Sequence, residues 1–403
     1  MTSRVIPSLA SALRASAVLA LTLAHMACGR SDAPDEERVA LARRNQGDVV
    51  IGVAWPWSSY PDIRYGDGLQ MAADEINAAG GVLNGRKLKL LREDDHGSVD
   101  NGRLVAQKLA ANPEVVAVIG HLQSYVSVPA AAIYDLAGIV MVAPTATDPE
   151  LTARGYHRVF RATFTDKEVG RQMADFARGR GYRRVAICYI RNAYGRGLAN
   201  AFEERLTEAG GAVPARQSYD ASGEADVRSF LSVIREWKHQ ELDAVFLAGE
   251  SPSAGAFIEA AHQEGLRLPI LGSDALNAPG TLALGLAAEG TVVPSVFHPA
   301  VAAERVQRFA RAFQERYGVL PDAGAALGYD AVHLLAAAIA RARSSVPDEI
   351  ARALRSGAGW EGVTGAFTFT ESGDLEDRPL VQMHVRNGQF TVIGASTVTA
   401  ARD

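Results

Sequence analysis

The chain has 403 residues, a length that exceeds one ordinary domain and suits two lobes of α/β size. Hydrophobic residues make up 48% of it and charged residues 22%, which is ordinary for a soluble globular protein. The formal net charge of −5 excludes the basic footprint of a protein that binds nucleic acid or an anionic membrane.

The N-terminus has the pattern of a targeting segment. Arg4 and Arg14 supply positive charge, and the apolar stretch at 17–24 is shorter than the roughly 20 residues that span a bilayer. The run Met26-Ala27-Cys28-Gly29 is typical of a bacterial lipoprotein cleavage site. We therefore predict a signal peptide at 1–27 and a lipid on Cys28, which places the protein in the periplasm or otherwise outside the cytoplasm. In the alternative, a plain secreted protein loses Cys28 with its signal.

The segment at 28–47 is charged and poor in large apolar side chains, which predicts a flexible tether. The second cysteine, Cys188, lies in an apolar run at 185–190. We interpret it as a small core residue and not as a catalytic thiol. If Cys28 is acylated, Cys188 has no partner for a structural disulfide.

From residue 49 the chain alternates apolar, strand-like runs with segments of helical period. The predicted strands lie at 49–54, 87–91, 115–119, 139–142, 185–190, 212–218, 244–248 and 269–271. Helices separate them, including those near 169–180, 195–209, 227–238 and 254–264. This alternation is typical of α/β proteins with parallel sheets, and its two series predict two Rossmann-like lobes.

Three crossovers are expected to join the lobes. The segments 158–163 and 291–297 are the first two, and helices near 302–317, 323–343 and 348–355 follow them. Antiparallel strands at 365–369, 380–385 and 390–393 are predicted to finish the second lobe through the third crossover. The predicted lobes are therefore 48–160 plus 297–360, and 161–296 plus 361–395.

Two loops that follow strands combine small residues, hydroxyls and free backbone amides. They lie at 120–125 and 143–151. In open α/β sheets, ligands bind outside the carboxyl ends of the strands, where helix N-termini present N–H groups to anions. The two loops together predict a site for the carboxylate and ammonium of a small zwitterion, and thus a binding protein and not an enzyme.

Enzyme motifs give little support to catalysis. The run 357–362 fits GxGxxG but follows a helix and not a strand, so it does not predict dinucleotide binding. The sequence has no GxxxxGK[ST], HExxH, CxxC or GxSxG motif. The run Asp94-Asp95-His96 has metal-ligand side chains, but adjacent residues on one loop make a poor cage. We predict no cofactor and no metal.

Short motifs occur in a specific order along the chain. They lie at 68–72, 74–81, 94–95, 106–109, 120–124, 129–130, 143–147 and 191–197. In this order they resemble the type I periplasmic solute-binding proteins of ABC importers, the family that includes the leucine/isoleucine/valine-binding proteins. The resemblance covers about 48–395. It implies the type I fold, a ligand cleft between the lobes and a membrane permease as partner.

The resemblance also implies roles for individual residues. The ligand carboxylate is expected at Ser124, at the start of a helix, and the α-ammonium at the carbonyl of Thr145, the hydroxyl of Thr147 and the carboxylate of Asp274. Tyr194 is expected to cover the ligand when the cleft closes. The alternatives are turn residues at Thr145 and Thr147, a helix cap at Asp274 and a packing residue at Tyr194.

Four residues at or near the expected site depart from the family pattern or extend it. Gln123 stands where the leucine-type binder has a disulfide cysteine, and Tyr125 is bulkier than the usual small residue. Glu250 replaces a tyrosine, and Trp57, in the aromatic run 55–60, is expected to wall the side-chain pocket. A carboxylate in a closed cleft needs a donor or a cation. Glu250 therefore predicts a polar amino acid or a related small solute, unless it is a solvated charge on the rim.

These expectations combine into one functional hypothesis. The protein captures an amino acid or similar solute outside the cytoplasmic membrane, closes about a hinge and docks on an ABC permease. A binding module that signals to a receptor is the alternative, and the sequence does not separate the two.

Overall fold

The computed structural model describes residues 34–220, 227–375 and 378–393. The predicted signal peptide and Cys28 lie outside the described residues. Helix α1 (Pro34–Arg44) comes first. It is followed by β1 (Val49–Trp55), α2 (Tyr65–Ala78), β2 (Leu88–Asp94), α3 (Val99–Ala111), β3 (Val115–Gly120), α4 (Ser124–Leu136), β4 (Val140–Ala143), α5 (Glu150–Ala153) and β5 (Val159–Arg161). The five strands form one parallel sheet in the order β2-β1-β3-β4-β5, which is the centre of lobe 1.

Lobe 2 repeats this organisation. Its elements are α6 (Asp166–Gly179), β6 (Val185–Ile190), α7 (Ala193–Glu208), β7 (Arg216–Tyr219), α8 (Val227–Trp237), β8 (Ala244–Ala248), α9 (Ser253–Gln263), β9 (Ile270–Gly272), α10 (Pro279–Leu282) and β10 (Val292–Ser295). Strands β1, β3 and β8 are buried along their whole length, because helices cover both faces of each sheet.

The chain then returns to lobe 1 and ends in lobe 2. Helices α11 (Glu304–Tyr317), α12 (Ala323–Ala342) and α13 (Pro347–Leu354) precede the hairpin β11 (Trp360–Gly362) and β12 (Gly365–Phe367). Strands β13 (Val381–Arg386) and β14 (Gln389–Val392) complete a sheet in the order β14-β13-β10-β9-β8-β6-β7. By length and composition α12 is apolar enough to cross a membrane, but it packs against α2 as a core helix of lobe 1.

The hairpin corrects the predicted lobe boundary. Phe367 and Phe369 are buried in the core of lobe 1, where the ring of Phe369 meets that of Phe160 edge-on at 5.1 Å between centroids. The chain therefore stays in lobe 1 up to about Leu375, and the predicted boundary at residue 360 is wrong. Two antiparallel runs look alike in a sequence whichever lobe they join, since the same alternation of residues serves both.

The first crossover also differs from its prediction. The segment 158–163 contains β5, which pairs with β4 as the edge strand of lobe 1. The chain crosses only after it, where Asp166 N donates a hydrogen bond to Thr147 O at 2.9 Å. The buried guanidinium of Arg161 donates to Asp374 Oδ1 at 2.7 Å and to Ala146 O at 2.6 Å. Arg161 thus fixes the first and third crossovers to each other at the hinge.

Helix α1 contradicts the predicted tether over much of its length. Arg38 has none of its surface exposed, and its guanidinium donates to four carbonyls on lobe 1. These are Val115 O at 2.7 Å, Ala137 O at 2.5 Å, Ala110 O at 2.7 Å and Asn112 O at 3.3 Å. Three of them lie at the C-terminal ends of α3 and α4, where the helix dipole favours a cation. A tether at 34–44 is therefore wrong.

Replacing Arg38 with alanine should destabilise lobe 1, because it removes the charged donor that satisfies these carbonyls. Losing a single hydrogen bond to a charged group costs about 1.5–3 kcal/mol. We expect a lower melting temperature in calorimetry. Arg43→Ala, on an exposed position of the same helix, should change it little. Equal melting of the two variants would show that α1 does not depend on the Arg38 contacts.

Asp166, at the start of α6, offers a test of the hinge. Its carboxyl is almost fully buried, and within the described residues neither oxygen has a hydrogen-bond partner. Burial raises the pKa of Asp166 well above its usual value. The nearby Thr147 side chain opposes this rise, and the charges of Asp274 and Asp148 add to it. A carboxyl with a raised pKa in the folded state destabilises the fold as the pH rises above the pKa of the unfolded chain.

We therefore expect Asp166→Asn to raise the melting temperature at pH 8, and the gain to shrink as the pH falls toward 4. Melting curves of the wild type and the variant across this range measure the difference. Asp175→Asn, at a partly exposed position of α6 where Arg205 pairs with the carboxylate, should give no such gain. A constant difference at all pH values would contradict the role assigned to the Asp166 charge.

Candidate functional site

A cleft of about 370 Å³ lies between the two lobes. Eight of the nine residues that the sequence predicts for ligand binding line it, namely Gln123, Ser124, Tyr125, Thr145 and Thr147 from lobe 1, and Tyr194, Glu250 and Asp274 from lobe 2. Helix α4 of lobe 1 contacts helix α7 of lobe 2 beside it. The lobes are thus close enough for one small molecule to touch both.

The loop after β3 has a fixed shape. Gly120 has a φ of +144°, and a Cβ there would lie 2.2 Å from Ala54 O, so only glycine fits this turn. The next residue, His121, is fully buried. Its Nδ1 lies 2.6 Å from Asp95 Oδ2 and its Nε2 lies 3.1 Å from Tyr134 OH. These contacts hold the loop in place before any ligand arrives.

Ser124 joins the two loops of the cleft. Its Oγ accepts hydrogen bonds from Thr147 N at 3.1 Å and Asp148 N at 3.2 Å. Since a serine hydroxyl has one proton and two lone pairs, its O–H remains to donate to another acceptor. Ser124 is also the first residue of α4. The first backbone N–H groups of a helix have no partner within the helix, and here that end of the helix lies at the cleft. This arrangement suits an anion such as a carboxylate.

The threonines of the second loop hold the two loops together. Thr145 Oγ1 donates to His121 O at 3.1 Å and to Leu122 O at 2.9 Å, so its hydroxyl serves the loop and not the cleft. Thr147 is buried and its carbonyl accepts the hinge bond from Asp166 N. The contacts that the resemblance implies for the Thr145 carbonyl and the Thr147 hydroxyl stay predictions.

Asp274 faces the cleft from lobe 2. It begins a single 3-10 turn, Asp274–Leu276, in which Ser273 holds the cap position. Asp274 is therefore not the helix cap of the alternative interpretation. Tyr194 OH donates to Asp274 Oδ1 at 2.8 Å. The Tyr194 hydroxyl is therefore used to orient the acid, while its ring lines the cleft. Burial raises the pKa of Asp274 to about 6, against the lowering effect of the Tyr194 hydrogen bond, and the charge of Glu250 adds to the rise.

Glu250 follows β8 and points into the cleft. Asn192 Nδ2 donates to Glu250 Oε1 at 2.8 Å, and Asn192 itself caps α7 by accepting from Gly195 N. Burial raises the pKa of Glu250, and the Asn192 bond opposes the rise. After burial, the charge of Glu250 is the next cause that raises the pKa of Tyr60 and Tyr125 in lobe 1. Glu250 thus lines the cleft and is partly, not fully, exposed.

Trp57 lies outside the cleft, contrary to its prediction. Its Nε1 donates to Glu93 O at 3.0 Å, and the Arg92 guanidinium lies over its ring at 5.0 Å from the centroid. The chain turns tightly after β1, since Trp57 N donates to Trp55 O, and the Trp57 ring packs against the core of lobe 1. Trp55 and Tyr60 line the cleft in its place.

The aromatic run 55–60 was a correct signal for a wall, but its pattern does not say which rings point inward. Asn192 was missed as a site residue, although it lies in the motif at 191–197. Only its position beside Glu250 in space reveals its role.

The residues that the sequence offers for metal binding, thiol chemistry or dinucleotide binding have structural surroundings instead. Within the described residues, no group of three or more His, Cys, Asp or Glu side chains is placed to hold a metal. Asp94 instead accepts from the backbone amides of Ser58 and His96. Cys188 is buried without a disulfide, and burial raises the pKa of its thiol. The glycines at 357–362 lead into the antiparallel strand β11.

Known proteins resemble this chain over most of its length. It is 31% identical over 342 residues to the Leu/Ile/Val-binding protein homolog 1 of Brucella suis, which covers 81% of this chain and 87% of that protein. It is 32% identical over 340 residues to the leucine-, isoleucine-, valine-, threonine- and alanine-binding protein of Pseudomonas aeruginosa, with 82% and 87% covered.

Solved structures share the architecture. An ABC transporter substrate-binding protein of Desulfitobacterium hafniense in complex with Leu has a TM-score of 0.78 and 37% identity, and the match covers 86% of this chain and 100% of that one. A leucine-binding protein of Thermotoga maritima has a TM-score of 0.78 and 30% identity, with 86% and 97% covered. These matches confirm the predicted two-lobed α/β fold of the type I periplasmic binding proteins.

The family assignment rests on a match along the whole cleft-forming region. The model of the family described as periplasmic binding protein matches residues 49–389, which include both lobes and every cleft residue discussed above. Helix α1 precedes the matched region. The chain belongs to the periplasmic binding protein family.

Proposed function

We propose that the protein is the extracytoplasmic substrate-binding protein of an ABC transporter, and that it binds an amino acid in the cleft and delivers it to a membrane permease. The observation that carries the proposal is the chemistry of two facing sites. Ser124 and the start of α4 suit a carboxylate, and Asp274 on the other lobe suits an ammonium. Solved relatives in complex with leucine and isoleucine support it.

Ligand contact with both lobes explains why binding closes the cleft. A ligand shifts the open–closed equilibrium only by the contacts that it makes in one state and not in the other. A carboxylate on lobe 1 and an ammonium on lobe 2 give charged hydrogen bonds of about 1.5–3 kcal/mol each. The same molecule therefore bridges the lobes and stabilises the form that a permease recognises.

The proposal includes the location of the protein and the fate of its solute. We place the protein outside the cytoplasmic membrane, anchored by a lipid on Cys28, with a permease as its partner. The protein binds its solute unchanged. The family resemblance supports transport.

Ser124→Ala should weaken amino-acid binding about tenfold or more, since it removes a hydroxyl donor worth at least about 1.5 kcal/mol to a charged acceptor. Calorimetric titration of the mature chain with a panel of proteinogenic L-amino acids, including L-leucine, measures the effect. Ser356→Ala, whose hydroxyl donates to Ala353 O away from the cleft, is the matched control. If Ser124→Ala binds the best ligand as tightly as the wild type, the carboxylate site is assigned wrongly.

The dissociation constant should also rise as the pH falls below about 6, because Asp274 must be ionised to bind an ammonium and burial raises its pKa to about 6. Titrations at pH values from 5 to 8 test this. Asp274→Asn should bind more weakly at pH 7 and show a flatter profile. The pKa of Glu250 in the same cleft is raised as well. The contribution of Asp274 is therefore measured as the difference between the pH profiles of the wild type and of Asp274→Asn. Parallel profiles would exclude Asp274 as the titrating group.

A further inference from the structure

The charged side chains that line the cleft are acidic. Four carboxylic acids line it: Asp62, Glu250, Asp274 and Asp322. Among the lining residues that the structure describes, none is lysine, arginine or histidine. The cleft therefore offers negative charge from its side chains and no side-chain cation to balance it.

Two of the four acids need no ligand. Asp322 accepts hydrogen bonds from Arg64 N at 3.0 Å and Ala325 N at 2.7 Å, and so caps α12. Asp62 is exposed to solvent at the mouth of the cleft. The acids that remain are Asp274, which suits the α-ammonium, and Glu250. The ammonium of a simple zwitterion leaves Glu250 without a cation.

The surroundings of Glu250 supply acceptors and few donors. Across the described part of the chain, its carboxylate receives a side-chain hydrogen bond from Asn192 and makes no ion pair within 4.0 Å. Gln123, only 7% exposed, lines the same cleft, and its buried Oε1 has no partner among the described residues. Tyr60 lines the cleft together with Gln123 and Glu250.

A ligand with donors at this end would satisfy both groups. We propose, on the basis of the function proposed above, that the bound amino acid has a positively charged side chain whose ammonium or guanidinium pairs with Glu250. Gln123 Oε1 accepts a second hydrogen bond from the same group. Tyr60 and Tyr125 line the same cleft as Glu250, and aromatic faces attract cations.

A neutral side chain would fit this end poorly. Closure around it would dehydrate the Glu250 carboxylate without supplying a cation, and a buried unpaired charge is costly. The wall also contains apolar residues such as Trp55 and Leu122, which suit the methylene stem of a long cationic side chain. Glu250 is therefore a specificity-determining residue.

Two matched ligand pairs test this inference, because each pair differs chiefly in charge. L-Lysine is compared with L-norleucine, and L-arginine with L-citrulline, by calorimetric titration at pH 7.5. We expect at least one cationic member to bind about 10- to 100-fold more tightly than its neutral counterpart. Equal or tighter binding of both neutral members overturns the inference.

Glu250→Gln tests the residue itself, since it keeps the shape and an oxygen for Asn192 but removes the charge. It should reduce the cationic preference about tenfold or more, because the cationic member loses its partner and L-norleucine no longer buries an unpaired charge. Glu236→Gln, at an exposed position of α8, is the control and should keep the full preference. An unchanged preference in Glu250→Gln contradicts the assignment, and circular dichroism checks that the variant is folded.

The same titrations separate this inference from the proposed function. If neutral amino acids bind best and their binding depends on Ser124, the function stands and the cationic specificity fails. If no amino acid of the panel or of the two pairs binds, both proposals fail.

Discussion

The acidic wall of lobe 2 is the constraint on which the behaviour of the cleft depends. Asp274 and Glu250 face lobe 1 with no basic side chain among the described lining residues. In an open cleft water solvates both carboxylates, whereas closure removes that water and raises their pKa values by burial. Closure without a ligand is therefore opposed by the dehydration of charge. A ligand with positive charge removes this opposition, so ligand binding and domain closure are coupled by electrostatics.

In lobe 1, by contrast, hydrogen bonds within the lobe already hold the loops of the cleft in place. His121 is held between Asp95 and Tyr134, and Ser124 Oγ binds two amides of the neighbouring loop. None of these contacts comes from lobe 2, so they persist when the cleft opens. A carboxylate that binds the start of α4 meets donors that are already oriented, and little ordering entropy opposes it. Under the proposed function, lobe 1 therefore positions the ligand and lobe 2 responds to its charge.

The sequence predicted the lobes and most strands, because buried parallel strands are continuous apolar runs whose period is visible locally. The cleft residues on loops after strands were found by the same rule of sheet topology. Side-chain direction within a turn was not predictable, which is why Trp57 was chosen where Trp55 and Tyr60 line the cleft. Helix α1 was missed because Arg38 is held by carbonyls 72 to 99 residues away, and no local pattern encodes such partners.

One helix end links the two acids. Asn192 caps α7 and holds Glu250, while Tyr194, two residues later, holds Asp274. A Cβ on Gly195 would lie 2.3 Å from Ile190 O, so glycine is required for α7 to begin this close to the end of β6. Helix α7 also contacts α4, whose first turn is the proposed carboxylate site. A movement that brings α7 toward α4 therefore carries both acids toward the ligand together, so the site is completed in one step rather than residue by residue.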